Sequence, residues 1–156
     1  MARKTDAPVL ELHITRLFDA PRDLVFKLWT DPGHLIHWWG PRGFRTLSCE
    51  LDLRPGGAWR IHTRSPDGMD FSEYGVFREI VVPERIVFTH GFDMPGKPPG
   101  PTVLATATFT EENGKTRLTF HQGVFATIED RDGHEEGWSS SFDLLTDYLH
   151  DLRNAS

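Results

Sequence analysis

The segment from Trp138 to Leu152, WSSSFDLLTDYLHDL, carries apolar side chains at helical spacing. On a helical wheel with 100° between successive residues, one stripe of large apolar side chains lies within about 40° of Trp138. The stripe consists of Trp138, Phe142, Leu145, Leu149 and Leu152, and the opposite side carries Asp143, Asp147, His150 and Asp151. This pattern predicts a long amphipathic C-terminal helix that opens at Gly137-Trp138 and covers a sheet with its apolar face.

The chain before this helix alternates apolar and polar residues with period two, which is typical of half-buried strands. Six such runs follow one another at residues 44–53, 59–64, 71–82, 85–90, 102–110 and 116–123. Most of the connections are short and polar, and these predict an antiparallel meander. The proline- and glycine-rich stretch Met94–Pro101 is an exception, and we expect a flexible surface loop there.

The start of the chain adds one strand and two short helices. Residues 9–18 alternate as a strand does, and Asp19-Ala-Pro21 and Asp31-Pro32 are helix start signals. The predicted fold is therefore α+β, with a curved seven-stranded antiparallel sheet wrapped around the long C-terminal helix and two short helices between strands 1 and 2. We expect one domain over residues 9–153, preceded by a disordered or loosely ordered tail over residues 1–8.

Composition and charge exclude several classes of protein. The chain has 156 residues with 17 Lys and Arg against 23 Asp and Glu, a net charge of −6, which argues against a nucleic-acid partner. The single cysteine, Cys49, excludes an intrachain disulfide and a cysteine-based zinc site. Because the sequence shows neither an 18-residue apolar run nor the apolar segment of a signal peptide, we expect a cytoplasmic protein that does not insert into membranes.

Aromatic residues are abundant, with 11 Phe, 5 Trp and 2 Tyr. One helix is too small to fill a strongly curved sheet of seven strands. The remaining volume is therefore either occupied by additional aromatic side chains or left as a pocket lined by them. The sequence leaves both possibilities open.

Strand and helix positions select the residues that would line such a pocket. Trp38 and Trp39 lie about 100° apart on a short helix, so one ring can enter the core while the other borders an opening. His90 alternates with Ile86 and Phe88 and is expected to face the interior with them. The predicted ligand-binding residues are Trp38, Trp39, Trp59, Tyr74, Val76, Arg78, Phe88, His90, Phe109, Trp138, Phe142 and Leu145.

Arg78, which belongs to this set, and its neighbour Glu79 must point to opposite faces of their strand. The face that carries Arg78 also carries Tyr74, Val76 and Ile80, and it is the more uniformly apolar of the two. A guanidinium can reach the surface from such a face while its aliphatic stem stays buried. On that ground Tyr74, Val76 and Arg78 enter the predicted set, although this segment does not settle which face is concave.

Motifs for catalysis and for metal or cofactor binding are weak in this sequence. His34 and His37 share a helix face but lack a third ligand, and His134-Glu135-Glu136 lacks the second histidine of a zinc motif. Gly56-Gly57 precedes a strand rather than a helix, which favours a tight hairpin over a phosphate loop. The sequence contains no nucleophile elbow and no dinucleotide fingerprint, so we assign no catalytic residue, no metal and no cofactor.

Several segments, in register along the chain, resemble one known family. They are Leu35-Ile-His-Trp-Trp-Gly-Pro41, Asp52-Leu-Arg-Pro-Gly-Gly-Ala-Trp59 with Asp67-Gly68, Gly75-Val-Phe-Arg-Glu-Ile80 with Pro83-Glu-Arg-Ile-Val-Phe88, and Gly137-Trp138. Over residues 10–152 the chain resembles the activator-of-heat-shock-protein-ATPase-like branch of the START/birch-pollen-allergen-like (SRPBCC) superfamily. The resemblance implies a helix-grip fold with a hydrophobic cavity between sheet and C-terminal helix, and it implies no shared set of catalytic residues.

Three functions follow as expectations. The first is binding of a small hydrophobic molecule, lipid-, polyketide- or aromatic-like, without demonstrated catalysis. The second is a cyclase or dehydratase acting on a polyketide-like substrate through His90, Tyr74 and Glu79. The third is stimulation of a heat-shock ATPase, ranked lower because the eukaryotic activators carry an additional N-terminal domain for which 156 residues leave no room. The sequence leaves open whether the protein forms a homodimer.

Overall fold

The computed structural model describes residues 10–93, Gly96 and residues 101–155. The predicted tail over residues 1–8 and most of the predicted loop Met94–Pro101 lie outside the described residues. The elements follow in the order β1 (Glu11–Phe18), α1 (Arg22–Thr30), α2 (Pro32–Leu35), β2 (Arg45–Leu51), β3 (Ala58–Arg64), β4 (Asp70–Val81), β5 (Arg85–Asp93), β6 (Val103–Glu112), β7 (Lys115–Gly123) and α3 (Ile128–Asn154).

The seven strands form one curved antiparallel sheet in the order β1-β7-β6-β5-β4-β3-β2. β1 and β2 are therefore its two edges, every strand from β2 to β6 pairs with the next one along the chain, and β7 pairs with β1. Two short helices separate β1 from β2, and α3 follows the last strand. The predicted helix-grip fold is confirmed.

Helix α3 begins earlier than its apolar stripe predicts. It starts at Ile128, where the side chain of Thr127 accepts a hydrogen bond from the backbone N–H of Asp130 at 3.1 Å. Gly137 therefore lies inside the helix rather than at its opening. The first turns carry mostly charged residues and two glycines, so hydrophobic periodicity gives no signal for them. None of the helices in the described part of the chain has the length and apolarity needed to cross a membrane.

The core between sheet and helices is aromatic. All five tryptophans are buried, and they form one cluster in which Trp29 contacts Trp38 at 5.0 Å between ring centroids and Trp39 contacts both Trp59 and Trp138, at 5.7 and 5.1 Å. Rings thus fill much of the interior, and a cavity that they leave open lies beside the first half of α3.

The prediction that Tyr74, Val76 and Arg78 face the interior is wrong. In β4 the inward positions are Glu73, Gly75 and Phe77, each of which is buried. Gly75 is required there because a Cβ would lie 1.7 Å from the carbonyl oxygen of Thr89. A register shift between Phe77 and Glu79 then turns Ile80 inward opposite Ile86. The uniformly apolar face was misleading, because the inner face contains a buried carboxylate and a glycine.

Candidate functional site

A cavity of about 330 Å³ lies between the inner face of the sheet and the first half of α3. Its apolar walls are Trp39, Pro41, Phe44, Phe92 and Trp138, and its polar lining is Thr63, Glu73, His90, His134 and Ser141. The cavity reaches the surface, because exposed residues of the first turns of α3 also border it. These are Glu129, Asp130 and Gly133.

A buried chain of hydrogen bonds crosses the wall of this cavity. The indole N–H of Trp39 donates to Glu73 Oε2 at 2.8 Å, and Glu73 Oε1 contacts His90 Nε2 at 2.7 Å. On the other side of the imidazole, Gln122 Nε2 contacts His90 Nδ1 at 3.0 Å, and Gln122 Oε1 accepts from the indole N–H of Trp138 at 2.8 Å. Strands β4, β5 and β7 thus each contribute one polar side chain to a continuous line between two tryptophans.

The two indoles at the ends fix the direction of every bond between them. An indole N–H can only donate, so Gln122 must present its oxygen to Trp138 and its amide N–H to His90. His90 Nδ1 is then an acceptor, and the ring proton lies on Nε2, from which it is donated to Glu73. His90 is therefore in its neutral Nε2–H form, and both oxygens of Glu73 act as acceptors. Because both ring nitrogens are engaged, His90 does not offer a free base to the cavity.

His134 supplies the second imidazole of the lining. Its Nδ1 donates to the backbone carbonyl of Asp130 at 2.7 Å, which leaves Nε2 as the acceptor of the neutral ring. Burial lowers the pKa of His134 from its ordinary value of 6.5, and it outweighs the hydrogen bond to the Asp130 carbonyl and the nearby carboxylates of Glu73 and Asp130, which act in the opposite direction. Near neutral pH, Nε2 of this cavity-lining side chain therefore carries a lone pair for which, among the described residues, no hydrogen-bond donor is present.

Two glycines on α3 leave the space open. Gly133 and Gly137 lie one turn apart and both line the cavity. A Cβ built on either one meets nothing within 4 Å beyond the adjoining backbone, and neither has a positive φ. Neither packing nor backbone conformation therefore requires glycine at these positions. Both glycines border the cavity, and a larger side chain at either position would find open space there.

The structure brings together only part of the predicted set. Trp39, His90 and Trp138 line the cavity, and all three take part in the line of hydrogen bonds described above. Trp59 stacks on His90 at 5.9 Å between ring centroids, with 4° between the planes, and Phe88 packs edge-on to Trp59. These two residues support the cavity wall from behind.

The remaining predicted residues lie away from this cavity. Buried core positions outside its lining are occupied by Trp38, Phe109, Phe142 and Leu145. Trp38 donates its indole N–H to the Leu28 carbonyl at 2.9 Å and lies in the core, whereas Trp39 lines the cavity. Both follow α2, which ends at Leu35, and are not part of the predicted short helix. The outer face of β4 carries Tyr74, Val76 and Arg78, as described above.

The groups named for an enzymatic function are not brought together. Tyr74 lies on the outer face, where the guanidinium of Arg60 sits 5.2 Å from its ring centroid. Glu79 accepts from Arg85 Nε at 2.5 Å in a half-exposed ion pair. Only His90 borders the cavity.

Sequence reasoning missed Glu73, Gln122 and His134. Gln122 alternates with Leu118 and Phe120, and this parity would have placed it inside. For Glu73 the useful signal was its neighbour Gly75, which marks a close approach of backbone on the inner face. His134 lies in the charged part of α3, where no hydrophobic pattern indicates which side faces the sheet.

Comparison with known proteins yields one family. The family described as Activator of Hsp90 ATPase homolog 1-like protein matches residues 19–150. Among curated proteins, no sequence matches the chain.

Solved structures from several bacteria share the fold. A protein from Mycobacterium smegmatis is 29% identical with a TM-score of 0.78, and the match covers 92% of this chain and 93% of that one. A protein from Nitrosomonas europaea is 27% identical with a TM-score of 0.78, over 93% and 97% of the two chains. A solution structure from Arthrobacter aurescens is 26% identical with a TM-score of 0.81, over 92% and 87%.

Proposed function

The chain belongs to the Activator of Hsp90 ATPase homolog 1-like family, and from that premise we propose that it binds a small, largely apolar molecule in the cavity beside α3. The observation that carries the proposal is the pair Gly133 and Gly137. Two interior helix glycines reduce helix stability by roughly 1 kcal/mol each relative to alanine, and no contact in the structure requires them. Their effect is to keep open the space beside α3 that Trp39 and Trp138 border.

The size of the cavity favours a compact guest. At about 330 Å³ it lies at the lower end of the range for small-molecule sites, which begins at roughly 300 Å³. Its walls are mostly aromatic, with Trp39 and Trp138 meeting edge to face at 84°. A planar ring system fits such walls better than a long acyl chain does.

Apolar contact alone would give weak binding. Burying roughly 300 Å² of guest surface at about 25 cal/mol/Å² contributes about 7 kcal/mol. Association costs at least about 4 kcal/mol, which leaves a dissociation constant in the millimolar range. Tighter binding needs a polar contact, and the acceptor available for it is His134 Nε2.

Charge at the entrance selects among guests. Glu129 and Asp130 border the opening. Near neutral pH the two imidazoles of the lining carry no charge, His90 because its Nδ1 accepts a hydrogen bond and His134 because burial lowers its pKa. A carboxylate entering there meets two like charges, whereas a hydroxyl or amine can donate to His134. The proposed ligand is therefore a neutral or cationic ring compound that carries a hydrogen-bond donor, rather than a fatty acid.

The test is binding by the wild-type chain and by two variants at one helix position. We expect phenolic or aromatic-amine ring compounds to raise the melting temperature and to give saturable heats in calorimetry. Gly137→Leu should remain folded and lose both signals because the side chain enters the cavity. Gly137→Ala is the matched control, and it should keep the response because most of the volume remains. The proposal is wrong if no ring compound binds, or if Gly137→Leu binds as the wild type does.

A further inference from the structure

A second cluster of polar side chains lies on the outer face of the sheet, remote from the cavity. We propose that Glu11, His13 and His121 form a binding site for one divalent transition-metal ion of the zinc type. Their ligand atoms lie within 4.8 Å of one another. Glu11 and His121 are partly exposed and His13 is exposed, so an ion can reach them from solvent. This inference does not depend on the proposed ligand in the cavity.

The register of the sheet places the three side chains together. His13 in β1 and His121 in β7 are direct cross-strand partners, and their ring centroids are 4.7 Å apart. Glu11 precedes His13 by two residues and therefore projects from the same face. Its Oε1 is 2.9 Å from His121 Nε2. The ligands thus come from two strands that the backbone already holds in fixed register.

Gly123 allows the carboxylate to lean toward the imidazoles. It is the cross-strand partner of Glu11, and a Cβ at this position would lie 2.6 Å from Glu11 Cγ. With no side chain there, Glu11 lies across β7 and reaches His121, which is two residues away along that strand. The strand pair therefore provides space for the convergence of the three ligands.

The ligand types point to zinc-like ions. Two imidazoles and one carboxylate are a recurrent set for Zn²⁺ and neighbouring first-row ions, with remaining positions filled by water. The 2.9 Å between Glu11 Oε1 and His121 Nε2 suits neighbouring positions around an ion about 2.0–2.2 Å from each atom. Calcium and magnesium prefer oxygen ligands, of which this set offers one residue. On binding, neutral His121 would carry its proton on Nδ1 and present Nε2 to the metal.

Other potential zinc ligands are less suitable. Burial raises the pKa of Cys49 to about 11, with Glu50 acting in the same direction, so the thiol stays protonated near neutral pH. His34 Nδ1 contacts the Tyr148 hydroxyl at 2.7 Å, and the ring of His37 stacks on Tyr148 at 4.9 Å. His62 Nδ1 contacts Ser72 Oγ at 2.7 Å on a different part of the sheet.

The experiment uses the untagged chain after removal of metals with a chelator. Zn²⁺ binding is followed by calorimetry, and Co²⁺ binding by its visible absorption. We expect one ion per chain, an increase in melting temperature on metal addition, and at least tenfold weaker binding for His13→Ala and for His121→Ala. Glu11→Gln should also weaken binding because it removes the anionic ligand. His62→Ala is the matched control, and it should bind as the wild type does.

Two further variants keep the test informative. The double variant His13→Ala/His121→Ala should remain folded, since both side chains are on the outer face, and should lose the metal-dependent rise in melting temperature. Gly123→Ala should weaken Co²⁺ binding by displacing Glu11 while all three ligands are still present. The proposal is overturned if the double variant retains wild-type affinity, if the wild type binds no ion at 1 mM metal, or if one ion is held between two chains.

Discussion

The orientation of the Gln122 amide determines which ring nitrogen of His90 carries the proton. Its oxygen faces Trp138 and its N–H faces His90, so it accepts a hydrogen bond from the Trp138 indole and donates one to the His90 ring. A hydrogen bond adds about 1 kcal/mol to stability, but leaving a buried partner without one costs roughly 1–3 kcal/mol. The line of hydrogen bonds between Trp39 and Trp138 should therefore lose more stability when one of its internal residues is replaced than when a residue at its end is replaced.

We expect Gln122→Leu to lower the free energy of unfolding by about 2–4 kcal/mol, because it leaves both the Trp138 N–H and His90 Nδ1 unpaired. Trp138→Phe removes the donor itself. In a urea-denaturation cycle the double variant should be less destabilised than the sum of the two single variants by about 1 kcal/mol or more. Trp38→Phe, whose indole donates to Leu28, is the control and should be additive with Gln122→Leu. Additivity with Trp138→Phe would contradict the hydrogen-bond chain.

His134 should make stability depend on pH. Its folded pKa is lowered by burial from an ordinary value of 6.5, so protonation favours the unfolded chain. The stability from the neutral ring is fully present above about pH 6.5 and is lost as the pH falls through the folded pKa. We expect the wild type to lose more stability between pH 7.5 and 5 than His134→Gln does, as measured by urea denaturation at each pH. Equal losses in the two proteins would contradict this assignment.

At the residue scale, the sequence allowed prediction of positions whose neighbours alternate regularly. The parity of Ile86 and Phe88 predicted that His90 faces inward, and the structure places it there with 3% of its surface exposed. Tyr74 and Arg78 were misplaced because burial of Glu73 is stable only with partners from β5 and from the segment after α2. Such partners are distant in sequence, and no local pattern reveals them.

At the scale of elements, α3 combines two different halves. The second half has the apolar stripe that packs on the core, and its existence followed from periodicity. The first half contains Gly133, His134 and Gly137, which border the cavity. Its helical state rests on backbone hydrogen bonds and on the Thr127 cap. Hydrophobic periodicity therefore predicted the half that stabilises the fold and missed the half that forms the site.

We expect Gly133→Ala and Gly137→Ala each to raise the free energy of unfolding by about 1 kcal/mol, since alanine favours a helix and the added methyl meets nothing within 4 Å. Thermal and urea denaturation of the ligand-free chain would measure this. Gly75→Ala provides the contrast and should be strongly destabilised, because its Cβ would overlap the Thr89 carbonyl oxygen. A loss of stability in Gly137→Ala would mean that the glycine has a structural role.

At the scale of the whole molecule, the sheet, α1 and α3 share one aromatic core. Trp29 contacts Phe109 of β6, Phe120 of β7 and Phe142 of α3, with ring centroids 5.6–6.2 Å apart. Elements from both ends of the described chain thus meet at one side chain. The order of strands and helices in the sequence predicted that α3 packs against the sheet. It did not predict where the core would leave a cavity.

We expect residues 9–153 to unfold as one unit. In scanning calorimetry the transition should be single, with equal calorimetric and van't Hoff enthalpies of about 100 kcal/mol near 60 °C. Two resolved transitions, or a van't Hoff enthalpy of half the calorimetric value, would show instead that part of the sheet unfolds separately.

The contact between the five tryptophans has an optical consequence. With neighbouring rings 5.0–6.4 Å apart, excitation of one indole can pass to the others before it is emitted. A guest that quenches Trp39 or Trp138 would then dim the emission of the whole cluster. The intrinsic fluorescence of the unlabelled protein would in that case report occupancy of the cavity with an amplitude larger than two tryptophans alone could give.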